Sequence, residues 1–189
     1  LILLLTGASA NLLADQAREL QGGDVVLESS SPIAGEDFLA EAGISPLAAS
    51  EQIAFSGTLQ SAEVTAPFTI EVIDASYPLY GEIVLRDGIF TSVADGEILL
   101  DEAGLKRLGV EKGDTVSFGD VSLTVSDVVL AEPTSLFGGF RFLPIAFMSQ
   151  GSFFDANVDP QLLRAEYTYA AVAPDLTTDA IESLRMVED

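Results

Sequence analysis

The chain has 189 residues, 48% of them hydrophobic, which is too apolar for a disordered segment and long enough to bury a core as one domain or two small lobes. Eight basic residues stand against thirty acidic ones, a net charge of −22, which excludes nucleic acid as a partner and sets the surface against anionic lipid headgroups. With no cysteine there is no disulfide framework or thiolate metal site, and with no histidine the commonest general base and metal ligand is missing, so an enzyme here would have to rely on carboxylates, lysine or serine alone.

Leu1–Leu5 is an apolar run followed by Ala8-Ser9-Ala10. Two readings fit it: the remnant of a processed signal peptide, or the tail of a transmembrane helix. The second is preferred, because Leu12, Leu13, Ala17 and Leu20 then continue as one face of an amphipathic stalk helix. Gln21-Gly22-Gly23 ends that helix, and Asp24–Glu28 reads as a short buried strand before a turn at Ser29–Pro32. Gly35 opens a helix through Ala42, with Glu36 and Asp37 at the positive end of its dipole and Gly43 at its close. Ala48–Leu59 and Ala62–Ile73 form an expected antiparallel hairpin, with Phe68, Ile70 and Val72 facing inward.

Gly96–Val129 packs several signals into a short span. Glu97–Leu100 is a strand, Asp101 caps a helix Glu102–Leu108, and Gly109 ends it in a left-handed conformation. A turn at Gly113-Asp114 leads to Thr115–Phe118 and Val121–Val129, two strands joined across Gly119-Asp120. Further on, Asp159 and Pro160 open a short helix through Leu163, Tyr167–Val172 is a returning strand, and Ala180–Val187 is a last helix.

Four segments, in this order, resemble the periplasmic core domain of MacB-type ABC-transporter permeases, in the subgroup similar to lipoprotein-releasing and YbbP-like proteins. They are Leu20–Ile33 (LQGGDVVLESSSPI), Tyr77–Glu82 (YPLYGE), the Gly96–Val129 unit, and the Gly- and Phe-rich loop from Glu132-Pro133 to Phe142. The resemblance spans roughly residues 1–173. It implies an α+β fold: a porter-like βαββ…βα lobe (residues 23–92 and 150–189), a smaller β-rich lobe with one short helix (93–149), and an end of membrane helix plus stalk (1–22). It further implies a non-catalytic domain on the periplasmic side of an inner-membrane protein, moved by a cytoplasmic ABC ATPase subunit and paired in the membrane with a second permease copy or paralogue. The isolated domain is expected to be a monomer, and its cargo a periplasmic lipoprotein, lipid or amphipathic compound. The region matching the docking lobe of macrolide exporters is short here, which argues against an adaptor protein.

Candidate sites are few. Pro133–Phe154 holds six of the eleven phenylalanines and no acidic residue. Arg141–Met148 within it reads as a core strand with Phe142, Ile145 and Phe147 buried. Phe137, Gly138, Gly139, Phe140 and Phe142 also form a candidate apolar contact surface for a partner or lipid. Asp155, Asn157, Asp159 and Glu166 fall at calcium-loop spacing, but Pro160 occupies the position that needs a positive φ, so no metal is expected. Carboxylates at Asp101-Glu102, Glu111 and Asp114, and at Glu36-Asp37 and Glu41, sit at caps and turns and read as solvated surface. The Ser29–Ser31 run has no base to activate it. No phosphate-binding loop is present, and no cofactor is expected. The readings from other classes are a stand-alone secreted binding or adhesion domain and, behind it, a small carboxylate-dependent hydrolase.

Overall fold

The computed structural model describes residues 22–133, 142–159, 162–174 and 176, together with the backbone of Ile2–Leu5. A ten-stranded sheet runs through them in the order β1-β2-β10-β3-β4-β9-β6-β8-β5, with β7 paired to β3 and β8 off that path. Its strands are β1 (Ile2–Leu5), β2 (Val25–Ser29), β3 (Ala48–Gln60), β4 (Thr65–Ile73), β5 (Val84–Leu85), β6 (Glu97–Asp101), β7 (Thr115–Phe118), β8 (Val121–Ala131), β9 (Ile145–Ser149) and β10 (Glu166–Val172). Three short helices join them: α1 (Gly35–Glu41), α2 (Glu102–Leu108) and α3 (Gln150–Asp155). The α+β class expected from the sequence is therefore present.

The expected hairpin is β3–β4, closed by Ser61, whose N–H donates to the Val64 carbonyl at 2.8 Å and whose hydroxyl donates to the Leu108 carbonyl at 2.9 Å. Phe68, Ile70 and Val72 are fully buried, as their alternation requires. In the Gly96–Val129 unit, Asp101 Oδ1 accepts the Gly104 N–H at 2.7 Å, and Gly109 ends α2 at φ 65°. The β7–β8 hairpin turns through Gly119 at φ 54°.

β2 and β3 run parallel with the antiparallel β10 between them, so β2–α1–β3 is a split βαβ unit. Beyond β4 the sheet continues through a parallel pairing with β9 and then an antiparallel one with β6. The regions expected to form two lobes thus share a single sheet. They also share a core, because Ile53, Phe55 and Phe68 pack in one cluster with Ile98, Leu100, Leu123 and Phe153. The opposite face, with Leu99, Ile145, Phe147 and Val129, is covered by the connection carrying Tyr77, Ile83, Phe90 and Val93.

Three expectations differ from the structure. Ile2–Leu5 is not the end of a helix but β1, paired antiparallel with β2 from Ile2↔Glu28 to Leu5↔Val25. A run of Ile and Leu suits a strand once an open sheet edge offers its unpaired N–H and C=O groups. The strand expected over Arg141–Met148 starts only at Ile145. Pro144 has no N–H to give the ladder and contributes just its carbonyl, to Thr69, leaving Phe142 90% exposed rather than in the core. Residues 162–164 form a turn, with the Leu162 N–H donated to the Asp159 carbonyl at 3.1 Å, where a short helix was expected. Helix α3, capped by the Ser149 hydroxyl accepting from Ser152 N, is an addition to the sequence reading.

Candidate functional site

β2 begins and β10 ends at the same edge of the ladder, with Val25 opposite Ala171. The Asp24 N–H donates to the Ala171 carbonyl at 2.9 Å, and the Ala173 N–H donates back to Asp24 Oδ2 at 2.9 Å. That same Oδ2 accepts the Tyr80 hydroxyl at 3.0 Å, and Asp24 is only 1% exposed. Gly23 fits because any Cβ would stand 3.1 Å from Ala171 N and 3.0 Å from Val25 O.

Tyr80 belongs to the Tyr77–Glu82 segment, and that segment is anchored on both sides. Asp74 fixes its start: Oδ1 accepts from Ser76 N at 2.9 Å, Tyr77 N at 3.1 Å and the Ser50 hydroxyl at 3.0 Å, while Oδ2 accepts from Glu51 N at 2.7 Å. The Tyr77 ring stacks on Phe147 with centroids 6.4 Å apart. Gly81, at φ 75°, lies so close to Pro133 that a Cβ would be 3.0 Å from the proline Cβ. The Leu20–Ile33 and Tyr77–Glu82 segments, separate in sequence, therefore meet at Asp24 and Tyr80, and the Tyr77–Glu82 and Glu132-Pro133 segments meet at Gly81 and Pro133. Sequence reading did not single out Asp24, Asp74 or Tyr80; the only signal was their place inside or beside segments that carried the resemblance.

Phe142 lies at the other end of the sheet. β9 runs parallel to β4 and antiparallel to β3, as β10 does, so the start of β9 is opposite the end of β10. Phe142 precedes that start by three residues. Leu130, 52% exposed near the end of β8, occupies the same end. Phe137, Gly138, Gly139 and Phe140 lie outside the described residues.

The remaining polar clusters serve the fold. Asp95 Oδ1 accepts the Ser149 hydroxyl at 2.6 Å, Ser149 Oγ lies 3.0 Å from Ser152 Oγ, and Ser152 Oγ accepts the Gly96 N–H at 2.9 Å, which locks the α3 cap to the start of β6. Lys112 bridges Asp127 at 3.0 Å and Asp87 at 3.2 Å. Burial pushes the Asp127 carboxyl up, but the Val128 N–H, the Lys112 ammonium and the Asp87 N–H more than offset this and hold it below the usual carboxylate range. Its contribution to stability is therefore present above the ordinary carboxylate pKa and lost as pH falls through the lowered value. Asp101 and Asp114 cap α2 and the Glu111–Asp114 turn, and Ser29 Oγ accepts the Ser31 N–H. Among the described residues no group of His, Cys, Asp and Glu is arranged to hold a metal ion, and no helix is long and apolar enough to cross a membrane.

No protein-family model matches the chain. Over 137 residues, 72% of its length, it is 28% identical to the uncharacterized ABC transporter permease YbbP of Escherichia coli (strain K12), and it spans 17% of that protein. Its fold matches the crystal structure of the periplasmic region of MacB from Actinobacillus actinomycetemcomitans, with a TM-score of 0.57, 15% identity, and coverage of 90% of this chain and 85% of the other. It also matches the extracellular domain of the noncanonic ABC-type transporter YknZ from Gram-positive bacteria (TM-score 0.55, 13% identity, 83% of each chain). A domain of a putative permease protein from Porphyromonas gingivalis gives a TM-score of 0.51 at 12% identity, covering 86% of this chain and 81% of that one. The chain is thus similar in sequence to the ABC transporter permease YbbP, and its fold is that of the periplasmic region of MacB and the extracellular domain of YknZ.

Proposed function

We propose that this domain relays motion. An ATPase subunit on the cytoplasmic side moves the membrane part of the permease, and that movement is carried into the folded body, which handles cargo at its far end. The observation that carries this reading is a fold matching the periplasmic and extracellular domains of ABC-type transporters, joined to a likeness in sequence to an ABC transporter permease, with Phe142 exposed at one end of the sheet. A body built on one continuous sheet turns a small rotation at one end into a larger displacement at the other. The cargo side is apolar or amphipathic, a lipoprotein, lipid or small compound, met by Phe142 together with Phe137, Gly138, Gly139 and Phe140. A second permease copy or paralogue completes the membrane part.

The chain's lack of cysteine makes a direct test practicable. In the full permease, stripped of any other cysteine, Phe142→Cys should react with a membrane-impermeant maleimide on intact spheroplasts; reaction only after lysis would overturn the extracytoplasmic placement. Phe142→Ser removes a side chain already in water, so the melting temperature should hold within the small range of surface substitutions. Transport, read as growth or envelope integrity of the host, should fall. Unimpaired transport would return Phe142 to the class of singly exposed apolar residues without a role.

A further inference from the structure

We infer that the connection between β4 and β6 builds a preformed binding groove, and that its occupant is a small cationic amphiphile, an apolar body carrying a positively charged group. The occupant's class is read from the groove alone; its use as cargo rests on the function proposed above.

Asp74–Gly96 spans twenty-three residues and holds only the two-residue strand β5. Connections longer than about 12–15 residues with so little structure of their own are uncommon in compact domains, and are usually either functional or disordered. This one is held in place. Asp74 fixes its start through Ser76, Tyr77 and two residues of β3, Ser50 and Glu51. In its middle the Arg86 N–H donates to the Val128 carbonyl at 2.9 Å, the Asp87 N–H to Asp127 Oδ1 at 3.3 Å, and the Lys112 ammonium to Asp87 Oδ2 at 3.2 Å. At its end the Gly96 N–H donates to the Ser152 hydroxyl at 2.9 Å. A loop fixed on a rigid sheet is a common seat for a binding site.

Between these pins Ala75–Thr91 frames an open groove of about 410 Å³, and every residue that lines it comes from this segment. That volume lies within the roughly 300–1,000 Å³ of small-molecule sites. Tyr77, Pro78, Val84, Leu85, Ile89 and Phe90 give the groove apolar walls. Ile89 is 92% exposed and Val84 39%, so an apolar body settling there removes from water a surface that the fold itself leaves wet. The charges of the segment are sorted around this space. Arg86, its one base, lines a different cavity with Lys106 and Lys112, and Asp87 is taken up by Lys112. Glu82 is the one charged side chain lining the groove, and no ion pair engages it among the described residues. On a chain of net charge −22 a positive group is drawn to that carboxylate, whereas an anionic one is repelled.

The test titrates the ¹⁵N-labelled 189-residue chain with monomeric octyltrimethylammonium, octyl glucoside and octanesulfonate, which share one tail and differ in head charge. In about 0.5 M sodium chloride the field of distant acids is screened. Saturating amide shifts should concentrate at Ala75–Thr91. Octyltrimethylammonium should bind about two- to threefold more tightly than the glucoside, the scale of one exposed charge pair, and octanesulfonate should bind most weakly. Glu82→Gln should bring the cation and the glucoside to near parity while both still bind. Ile89→Ser should weaken all three by about threefold or more. Its melting temperature should hold, because the side chain it removes lies in water. An absence of saturating shifts in this segment overturns the groove and leaves the relay standing. An equal or reversed ranking of the heads, or a preference for the cation that survives Glu82→Gln, overturns the cationic assignment. Failure of Phe142→Cys to react on intact spheroplasts overturns the extracytoplasmic reading and leaves the binding result as it stands.

Discussion

Tyr169 illustrates how a single residue can be well packed and poorly satisfied at once. Its ring lies against Gly35, where any Cβ would overlap it, and the residue is 2% exposed beside Leu27 and Leu39. The hydroxyl, however, finds no hydrogen-bond partner among the described residues. A buried donor left without a partner costs about 1–3 kcal/mol, so Tyr169→Phe should equal or exceed the wild type in stability by up to about that amount, read from urea unfolding at pH 7. A loss of more than about 1 kcal/mol would mean that the hydroxyl is bonded after all. The pH dependence follows from the same burial, which pushes the hydroxyl up to about 12, with the carboxylates of Glu36 and Glu51 adding to the effect. Because the folded state keeps its proton over a range where the unfolded chain, titrating near 10, loses it, stability is undiminished below pH 10 and falls between 10 and 12. The fall attributable to this group is about 2–3 kcal/mol. Tyr169→Phe should remove that part of the alkaline slope.

At the level of elements, legibility followed locality. The Gly96–Val129 unit was readable strand by strand, because Asp101, Gly109, Gly113 and Gly119 each state a local backbone requirement that no distant contact overrides. The β3–β4 hairpin was readable from alternation. What the sequence did not disclose was pairing between distant segments: the parallel β4–β9 contact, β1 on the edge of β2, and the meeting of Asp24 with Tyr80 and Ala173. Helix α3 was also missed, since Phe153 and Phe154 side by side gave no helical period, and their fates differ completely. Phe153 is 1% exposed, with centroids 5.4 Å from Phe55 and 6.4 Å from Phe118, whereas Phe154 is 65% exposed. Phe153→Ala should therefore cost about 3–5 kcal/mol through lost burial and the cavity left behind. Phe154→Ala keeps only the edge contact to Phe153 at stake and should cost about 1 kcal/mol or less. Comparable losses in chemical denaturation would show that α3 packs by both rings.

For the whole molecule the governing quantity is the net charge of −22. Ion pairs are seen where Lys112 meets Asp87 and Asp127 and, more loosely, where Arg86 lies 3.7 Å from Asp87. The two pairs to Asp87 are exposed, and exposed pairs are worth about 1 kcal/mol at most and weaken in salt. Against them stands the mutual repulsion of an acidic excess spread over the surface of a compact body, which the unfolded chain relieves by expanding. Salt acts on both terms in opposite directions, and with thirty acidic residues to eight basic ones the repulsive term dominates. The range of that repulsion shrinks from about 30 Å at 0.01 M to about 3 Å at 1 M salt. The melting temperature should accordingly rise with sodium chloride across that interval, by several degrees if about 2 kcal/mol of repulsion is screened. Choline chloride should reproduce the rise, which separates screening from the strengthening of apolar burial by excluded salts such as sulfate. A melting temperature that falls with either chloride would mean that the ion pairs around Lys112 outweigh the repulsion, and the acidic surface would then need an explanation other than tolerance of high ionic strength.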